Sequence, residues 1–430
     1  MSSTMIIIVL FVSMLLLLYM KVPLVVCIGL PTALIIYLNF GMAAPVFAQR
    51  TVSSMSSFTL MAVPLFMLAG KIMEVGGISE RIVKVCDVLV GWIVGGLAHV
   101  VILACAFFGA LTGSAVATCV AIGSVMAPDM ERKGYPGWLI GGLHSVAASL
   151  GVLIPPSIPL IIYGVCCGES VGTLFIAGIV PGIVFALCLM VSVFIVFKKK
   201  NIKVEREVVG FKEGIKAIVE AIPALLMPFI ILGGIYGGIF TPSEAGAVAC
   251  TYGLIIATFV YKGINKETIH EVLGGSITNT AFCMIIMAAS GCFSWLLVSS
   301  GASALLSKTI GTIAVNKVIF FILVNIILIF MGMFIETVCG ILIITPILMP
   351  TVIALGISPI HFGVMMTVNL ALGLSTPPVG ENQYIAARIA KIRFEDQLRG
   401  SAPFLAAGFV ALVLITAFPQ LSLWLPSLLG

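Results

Sequence analysis

Charge is what this 430-residue chain has least of: Asp, Glu, Lys and Arg make up 9% of it, against 61% hydrophobic residues. With a mean hydropathy of +1.25, that balance excludes a soluble globular domain and points to many membrane-buried helices. Histidine is scarce, with only His99, His144, His270 and His361, and the eleven cysteines form no Cys-x-x-Cys pair. A metal centre of His and Cys ligands and a structural disulfide framework are therefore not expected. No Gly-x-x-x-x-Gly-Lys-Ser/Thr sequence occurs, so a P-loop and the ATP hydrolysis it supports are excluded for this chain. The net charge of +5 is no nucleic-acid signature, because the basic residues stand between apolar runs, where they report orientation. No small-residue cleavage site follows the apolar window 5–20, so it is expected to be a membrane helix and not a signal peptide.

What is there is a set of apolar runs of span length, near 5–20, 22–39, 52–73, 138–163, 172–197, 221–239, 243–262, 276–299, 359–385 and 403–427. The long polar stretch 198–216 divides the chain almost in half. Two further apolar segments are interrupted: 93–127 by Gly109 to Ser114, and 317–355 by Phe334 to Gly340. Each is expected to be a re-entrant hairpin, with a small polar tip and a second helix that ends at a proline, Pro128 or Pro350. The sequence Leu150-Gly-Val-Leu-Ile-Pro155-Pro156-Ser157 has a counterpart 222 positions on, Leu372-Gly-Leu-Ser-Thr-Pro377-Pro378-Val379. A Pro-Pro pair breaks a helix, because each ring clashes with the preceding turn and neither proline offers an N–H. In a bilayer the freed carbonyls are tolerated only against protein or a cavity. The same shift superposes Pro128 on Pro350, Gly141 on Gly363, Gly178 on Gly400 and Pro181 on Pro403, so an internal repeat is expected. Charge then sets the relative sense of the halves. Asp129 to Lys133 is charged where its counterpart 351–355 is not, and 165–169 lacks the basic residues of its counterpart, Arg388 to Arg399. Keeping the basic loops on the cytoplasmic side makes the repeats inverted, with both termini external on the strength of Lys21 and Arg50.

The expected organisation is thus an all-α polytopic membrane protein. Residues 1–50 form N-terminal scaffold helices, and 51–197 form the first inverted repeat, with a hairpin near 93–127 and a broken helix near 138–163. Residues 198–262 hold a basic cytoplasmic linker and scaffold helices. Residues 263–430 form the second repeat, with a hairpin near 317–355 and a broken helix near 359–385. Matched breaks in two halves of such a chain point to a midplane transport site. Oxygen ligands at the tips and breaks suit Na⁺, at one site of Thr112, Gly113, Ser114, Gly151 and Pro155 and a second of Thr337, Gly340, Gly373, Thr376 and Gly380. Ser114, Ser157, Glu336, Thr337, Glu381 and Asn382 are candidates for substrate, since polar groups at membrane depth are costly and helix N-termini at the tips favour a carboxylate. Gly91 to Gly95 and Gly233 to Gly237 match Gly-xxx-Gly and are expected to be packing faces. Glu244 in Thr241-Pro-Ser-Glu244 is expected to cap a helix.

Several of these stretches resemble a known family. Met61-Ala-Val-Pro64-Leu-Phe-Met-Leu-Ala-Gly70, Gly113-Ser114-Ala-Val-Ala117-Thr118, Gly134-Tyr135, Ile154-Pro-Pro-Ser157, Ile179-Val-Pro181-Gly182 and Thr241-Pro-Ser-Glu244-Ala245 together are similar to the large permease (M) subunit of tripartite ATP-independent periplasmic (TRAP) transporters, along essentially the whole chain. The hairpins and Pro-Pro breaks are also similar in plan to the wider ion transporter superfamily, although its Ser-Asn-Thr tip is here Gly-Ser-Ala or Glu-Thr-Val. The resemblance implies a secondary transporter of the bacterial inner membrane, not an enzyme, importing an organic acid such as a dicarboxylate, a sialic acid or another sugar acid on a Na⁺ gradient. It implies a transport domain that moves as an elevator against a scaffold, a small four-helix membrane subunit and a periplasmic binding protein that delivers the substrate. A stand-alone sodium/anion symporter of the same superfamily is the alternative. An ATP-driven importer would need a docking loop larger than 198–216, and an intramembrane hydrolase built on Ser303 and His361 has no second supporting feature.

Overall fold

The computed structural model describes residues 2–20, 22–40, 43–202, 204, 210–302, 305 and 316–429. Lys21, Lys203, Arg206 and Ser303 lie outside the described residues. The described residues are helical throughout, joined by short turns. The first part runs α1 Ser3–Tyr19, α2 Leu24–Phe40, α3 Ala43–Met55, a 3₁₀ turn Phe58–Met61 leading into α4 Ala62–Val75, α5 Ile78–Val90, α6 Gly96–Thr112 and α7 Ala115–Arg132. There follow α8 Gly137–Ala147, α9 Leu150–Leu153, α10 Ile158–Cys167, α11 Val171–Lys200, α12 Phe211–Tyr236, α13 Pro242–Ile255 with a π turn Ile256–Val260, and α14 Thr268–Ser299. The last part holds α15 Lys317–Gly332, α16 Thr337–Ala354, α17 Pro359–Gly373, α18 Glu381–Ile389, α19 Phe394–Ala417 and α20 Gln420–Leu429.

Seven described segments are long and apolar enough to cross a membrane, and eight if α8–α9 and α10, bent by 44° at the first Pro-Pro, count as one span. Their outer faces carry large apolar side chains such as Val413, Phe229 and Ile326 at 64–71% exposure, the reverse of a soluble protein's surface. Small residues let these helices approach closely, as they must where lipid and side chain are equally apolar. A Cβ on Gly109 of α6 would stand 2.5 Å from the Gly151 Cα of α9, and one on Gly332 of α15 would stand 2.9 Å from the Gly373 Cα of α17.

Both interrupted segments turn at the expected places, at Gly113-Ser114 between α6 and α7 and over 333–336 between α15 and α16. Gly113 supplies the left-handed conformation at the first turn, with φ of 62°. Both broken segments part at their double prolines, and Pro155-Pro156 and Pro377-Pro378 are each cis. The packing crosses over between the halves: α10 lies against α16, and α18 lies against α7. Within each half, α9 lies against α6, and α17 against α15.

Several extents differ from those the sequence predicts. Pro128 and Pro350 sit inside α7 and α16, which run on to Arg132 and Ala354, because a proline in a helix costs one hydrogen bond and a bend without forcing a stop. The run 403–427 is two helices that part at Phe418, and α19 begins nine residues earlier than the apolar run, with first turns that carry charge. The polar stretch 198–216 includes two helix ends: Lys198 to Lys200 close α11, and Lys216 lies in α12. Helix α5 escapes a search for apolar runs, since it is 13 residues of ISERIVKVCDVLV that bury only one face. Gly91 and Gly95 are not a packing face but the two ends of the turn between α5 and α6, and Gly233 has no heavy atom near its missing Cβ. Thr241 and Glu244 form the expected cap, a full capping box at the start of α13.

Candidate transport site

A cavity of about 420 Å³ lies where the two tips meet, a size ordinary for a small-molecule site. Its wall includes Thr112, Gly113 and Ser114 from the first tip, Glu336 and Thr337 from the second, and Val152, Leu374 and Glu381 from around the two breaks. Helix α4 closes one side with Met67, Gly70, Lys71 and Glu74, and α14 adds Asn279, Phe282 and Cys283.

The first tip is held by its own backbone. Gly113 N–H donates to Gly109 O at 2.8 Å, and Ser114 Oγ caps α7 by accepting from Ala117 N at 3.4 Å. Thr118 Oγ1 donates to Ser114 O at 2.7 Å and stands 3.4 Å from Thr112 Oγ1. A Cβ on Gly113 would come within 2.9 Å of Pro156 O, so the tip lies directly on the carbonyls that the first Pro-Pro frees. Gly151 stands as near, since its Cβ would lie 2.6 Å from Ser114 O. Thr112, Gly113, Ser114 and Gly151 of the first candidate group thus lie close together, with hydroxyl and carbonyl oxygens of a kind that suits a hard monovalent cation, whereas the Pro155 ring lies toward Gly178.

The second tip differs. Glu336 occupies the position before α16 without capping it, and its Oε2 lies 3.9 Å from Cys339 Sγ. Thr337 Oγ1 is buried and has no hydrogen-bond partner among the described residues. Thr376 Oγ1 donates to Leu372 O at 2.8 Å, and Gly380 N–H donates to Met333 O at 3.1 Å, so the second break is pinned to the second tip. Gly373 faces Gly332, and Gly340 faces Leu370, so these two serve close helix approach. The second group is therefore more dispersed than the first.

Of the six candidate substrate residues, Ser114, Glu336, Thr337 and Glu381 line the cavity. Ser157 and Asn382 do not. Ser157 Oγ is turned inward, donating to Val152 O at 2.5 Å and accepting from Leu160 N at 3.4 Å. Asn382 Nδ2 donates to Ser375 Oγ at 3.4 Å, within a buried polar seam that joins the two broken helices. In that seam Ser375 Oγ donates to Ser145 O at 2.6 Å, Ser149 Oγ to Ala371 O at 2.9 Å, Gln383 Nε2 to Ser375 O at 2.5 Å and Gln397 Nε2 to Gln383 Oε1 at 2.8 Å.

The sequence pattern gave no role to the seam or to Lys71. The seam has no signal in one sequence, because a serine or glutamine does not name its partner. Lys71 has one: it is a lysine within an apolar helix of span length.

The family model for the tripartite ATP-independent periplasmic transporter, DctM component, matches residues 11–421. The sialic acid TRAP transporter large permease protein SiaM of Vibrio cholerae is 38% identical over 89% of this chain and 89% of its own. The C4-dicarboxylate TRAP transporter large permease protein DctM of Pseudomonas aeruginosa is 38% identical over 94% of each chain. The 2,3-diketo-L-gulonate TRAP transporter large permease protein YiaN of Escherichia coli is 36% identical over 87% of this chain and 88% of its own. Among solved structures, the YdaH transporter of Alcanivorax borkumensis shares the fold, with a TM-score of 0.63, 15% identity and coverage of 85% of this chain and 86% of that one. Apolar helices of span length, a polar cavity between two helix tips and full-length similarity to these permeases agree, and the chain belongs to the TRAP transporter family as a multi-pass large permease subunit.

Proposed function

We propose that this permease imports an organic acid by symport with Na⁺, using the cavity between the two helix tips as its site. The observation that carries the reading is that both tips and residues flanking both Pro-Pro breaks border one cavity, whose wall sets Ser114, Glu336, Thr337 and Glu381 in an otherwise apolar helical assembly. In this reading the ions lie beside the acid. One is held by oxygens of Thr112, Gly113, Ser114, Gly151 and Pro155, and the other by Thr337, Thr376 and Gly380 with Gly340 and Gly373 close by. The N-termini of α7 and α16 both open on the cavity and favour an anion there. Cation and anion thus stabilise one another in a site of low dielectric, which is the physical basis of symport.

The crossed packing of α10 on α16 and α18 on α7 supports two inverted repeats, 51–197 and 263–430, each with a re-entrant hairpin and a broken helix. The hairpins and breaks would move together as an elevator against a scaffold formed by 1–50 and 198–262. The family supports three further elements: a small four-helix membrane subunit, a periplasmic binding protein and an inner-membrane location. The test is ion-dependent stability of the purified chain. NaCl is expected to raise the unfolding midpoint above that in equimolar KCl, by mass action on the native state. Equal midpoints across a wide salt range would remove Na⁺ from the mechanism.

A further inference from the structure

The cavity carries a charge pattern that symport by itself does not require. Among the described residues lining it, Lys71 is the single cation, and three carboxylates, Glu74, Glu336 and Glu381, face the same space. Lys71 follows Gly70, where a Cβ would lie 3.1 Å from the Thr112 Cα, so close backbone packing fixes α4 beside the first tip. The Lys71 side chain is 18% exposed, its Nζ donates to Glu74 at 2.8 Å, and it also forms an ion pair with Glu271 at 3.6 Å, too long for a hydrogen bond. An ammonium has three N–H donors, so Glu74 leaves donors available to a ligand. Thr337, 1% exposed, adds a hydroxyl without a partner on the same wall.

We infer that Lys71 sets the specificity of the cavity: it seats the one carboxylate of a hydroxyl-rich monocarboxylic acid, while Glu336 and Glu381 accept hydrogen bonds from that acid's hydroxyls and repel a second carboxylate. The inference rests on the organic-acid reading above and narrows it to sugar acids. A dicarboxylate has two charges to satisfy and meets one side-chain cation, so its second carboxylate is pressed toward Glu336 or Glu381. A polyhydroxy monoacid has no such conflict, because a carboxylate is an acceptor and a hydroxyl can donate to it. Burial makes the discrimination sharp, since an unpaired polar group in such a site costs its full desolvation.

The test is equilibrium binding to the purified full chain in NaCl, with radiolabelled D-gluconate, N-acetylneuraminate and succinate as probes. At least one sugar acid is expected to bind, with succinate weaker by about tenfold or more. Lys71→Gln should weaken the sugar acid by about tenfold or more, the scale of a charge-assisted hydrogen bond, and Lys71→Arg should retain most of the affinity. Glu336→Gln should narrow the gap between succinate and the sugar acid. Because Lys71→Gln leaves Glu74 unpaired, the double variant Lys71→Gln/Glu74→Gln is measured beside it and should show the same loss in a chain where only the 64% exposed Glu271 has lost its cation. Succinate binding as tightly as the best sugar acid overturns the inference, as does unchanged sugar-acid binding in either variant. If no probe binds while NaCl still stabilises the chain, the assignment of Lys71 and its cargo fails and Na⁺ coupling stands. If the response to NaCl is lost as well, the underlying reading fails.

Discussion

Two residues concentrate the chemistry of the tips. Gly113 combines a positive φ of 62° with a space in which an added Cβ would press on Pro156 O and Ile158 N at 2.9 and 3.0 Å. Gly113→Ala is therefore expected to lower stability by about 1–3 kcal/mol and to abolish Na⁺-dependent uptake, measured by thermal unfolding and by flux. Thr337 gives a cleaner test, because its buried hydroxyl has no partner. If packing were its whole role, Thr337→Val would only relieve an unsatisfied group, a gain of about 1–3 kcal/mol. As an ion ligand it should instead give a chain that is stable without Na⁺ and has lost the increment that Na⁺ supplies. A variant that keeps the increment would remove Thr337 from the ion site. At this scale the sequence was informative where a residue type has one physical use, such as a glycine at a tip or a glutamate at membrane depth. Ser157 and Asn382 show the limit: their types fit a binding role, yet their partners Val152 and Ser375 turn them away from the cavity.

Among the elements, the broken helices depend on the seam between them as much as on their prolines. Gln383→Leu removes the donor to Ser375 O and the acceptor for Gln397 Nε2, both buried. A cost of about 1–3 kcal/mol for each orphaned group is expected, read as a lower unfolding midpoint, with transport lost because α18 no longer holds Glu381 in place. Thr241→Ala is the control at the same scale. It removes the capping box of α13 and should cost about 1 kcal/mol, while uptake per folded molecule is unchanged. Loss of uptake in that variant would make the start of α13 part of the transport machinery. The breaks were legible in the sequence because proline and glycine act through their own backbones at Pro155, Pro377 and Gly113. Helix α5 and the start of α19 were not, since an amphipathic face or a charged first turn carries too little hydropathy to register, and the ends of α7 and α16 were not, since a proline bends a helix without having to end it.

For the whole molecule, inverted repeats would place the turn after α10 and its counterpart 222 positions on, after α18, on opposite sides of the membrane. In a background where Cys166 is replaced by Ser, a cysteine at Glu169 is expected to react with an impermeant maleimide from outside intact cells, and one at Lys391 only after the membrane is opened. Both reacting from the same side would contradict the inverted repeats. The matches at a shift of 222 positions were visible in the sequence, but the crossed packing of α10 on α16 and α18 on α7 was not, since one sequence states no contacts. The most direct test of the central claim is uptake of a labelled sugar acid into proteoliposomes holding this chain with its small membrane subunit. Uptake is measured with and without an inward Na⁺ gradient and the cognate binding protein. The expected result is uptake that needs both and falls to background in Thr337→Val. Uptake indifferent to Na⁺ would contradict the claim that the two tips form one ion-coupled site.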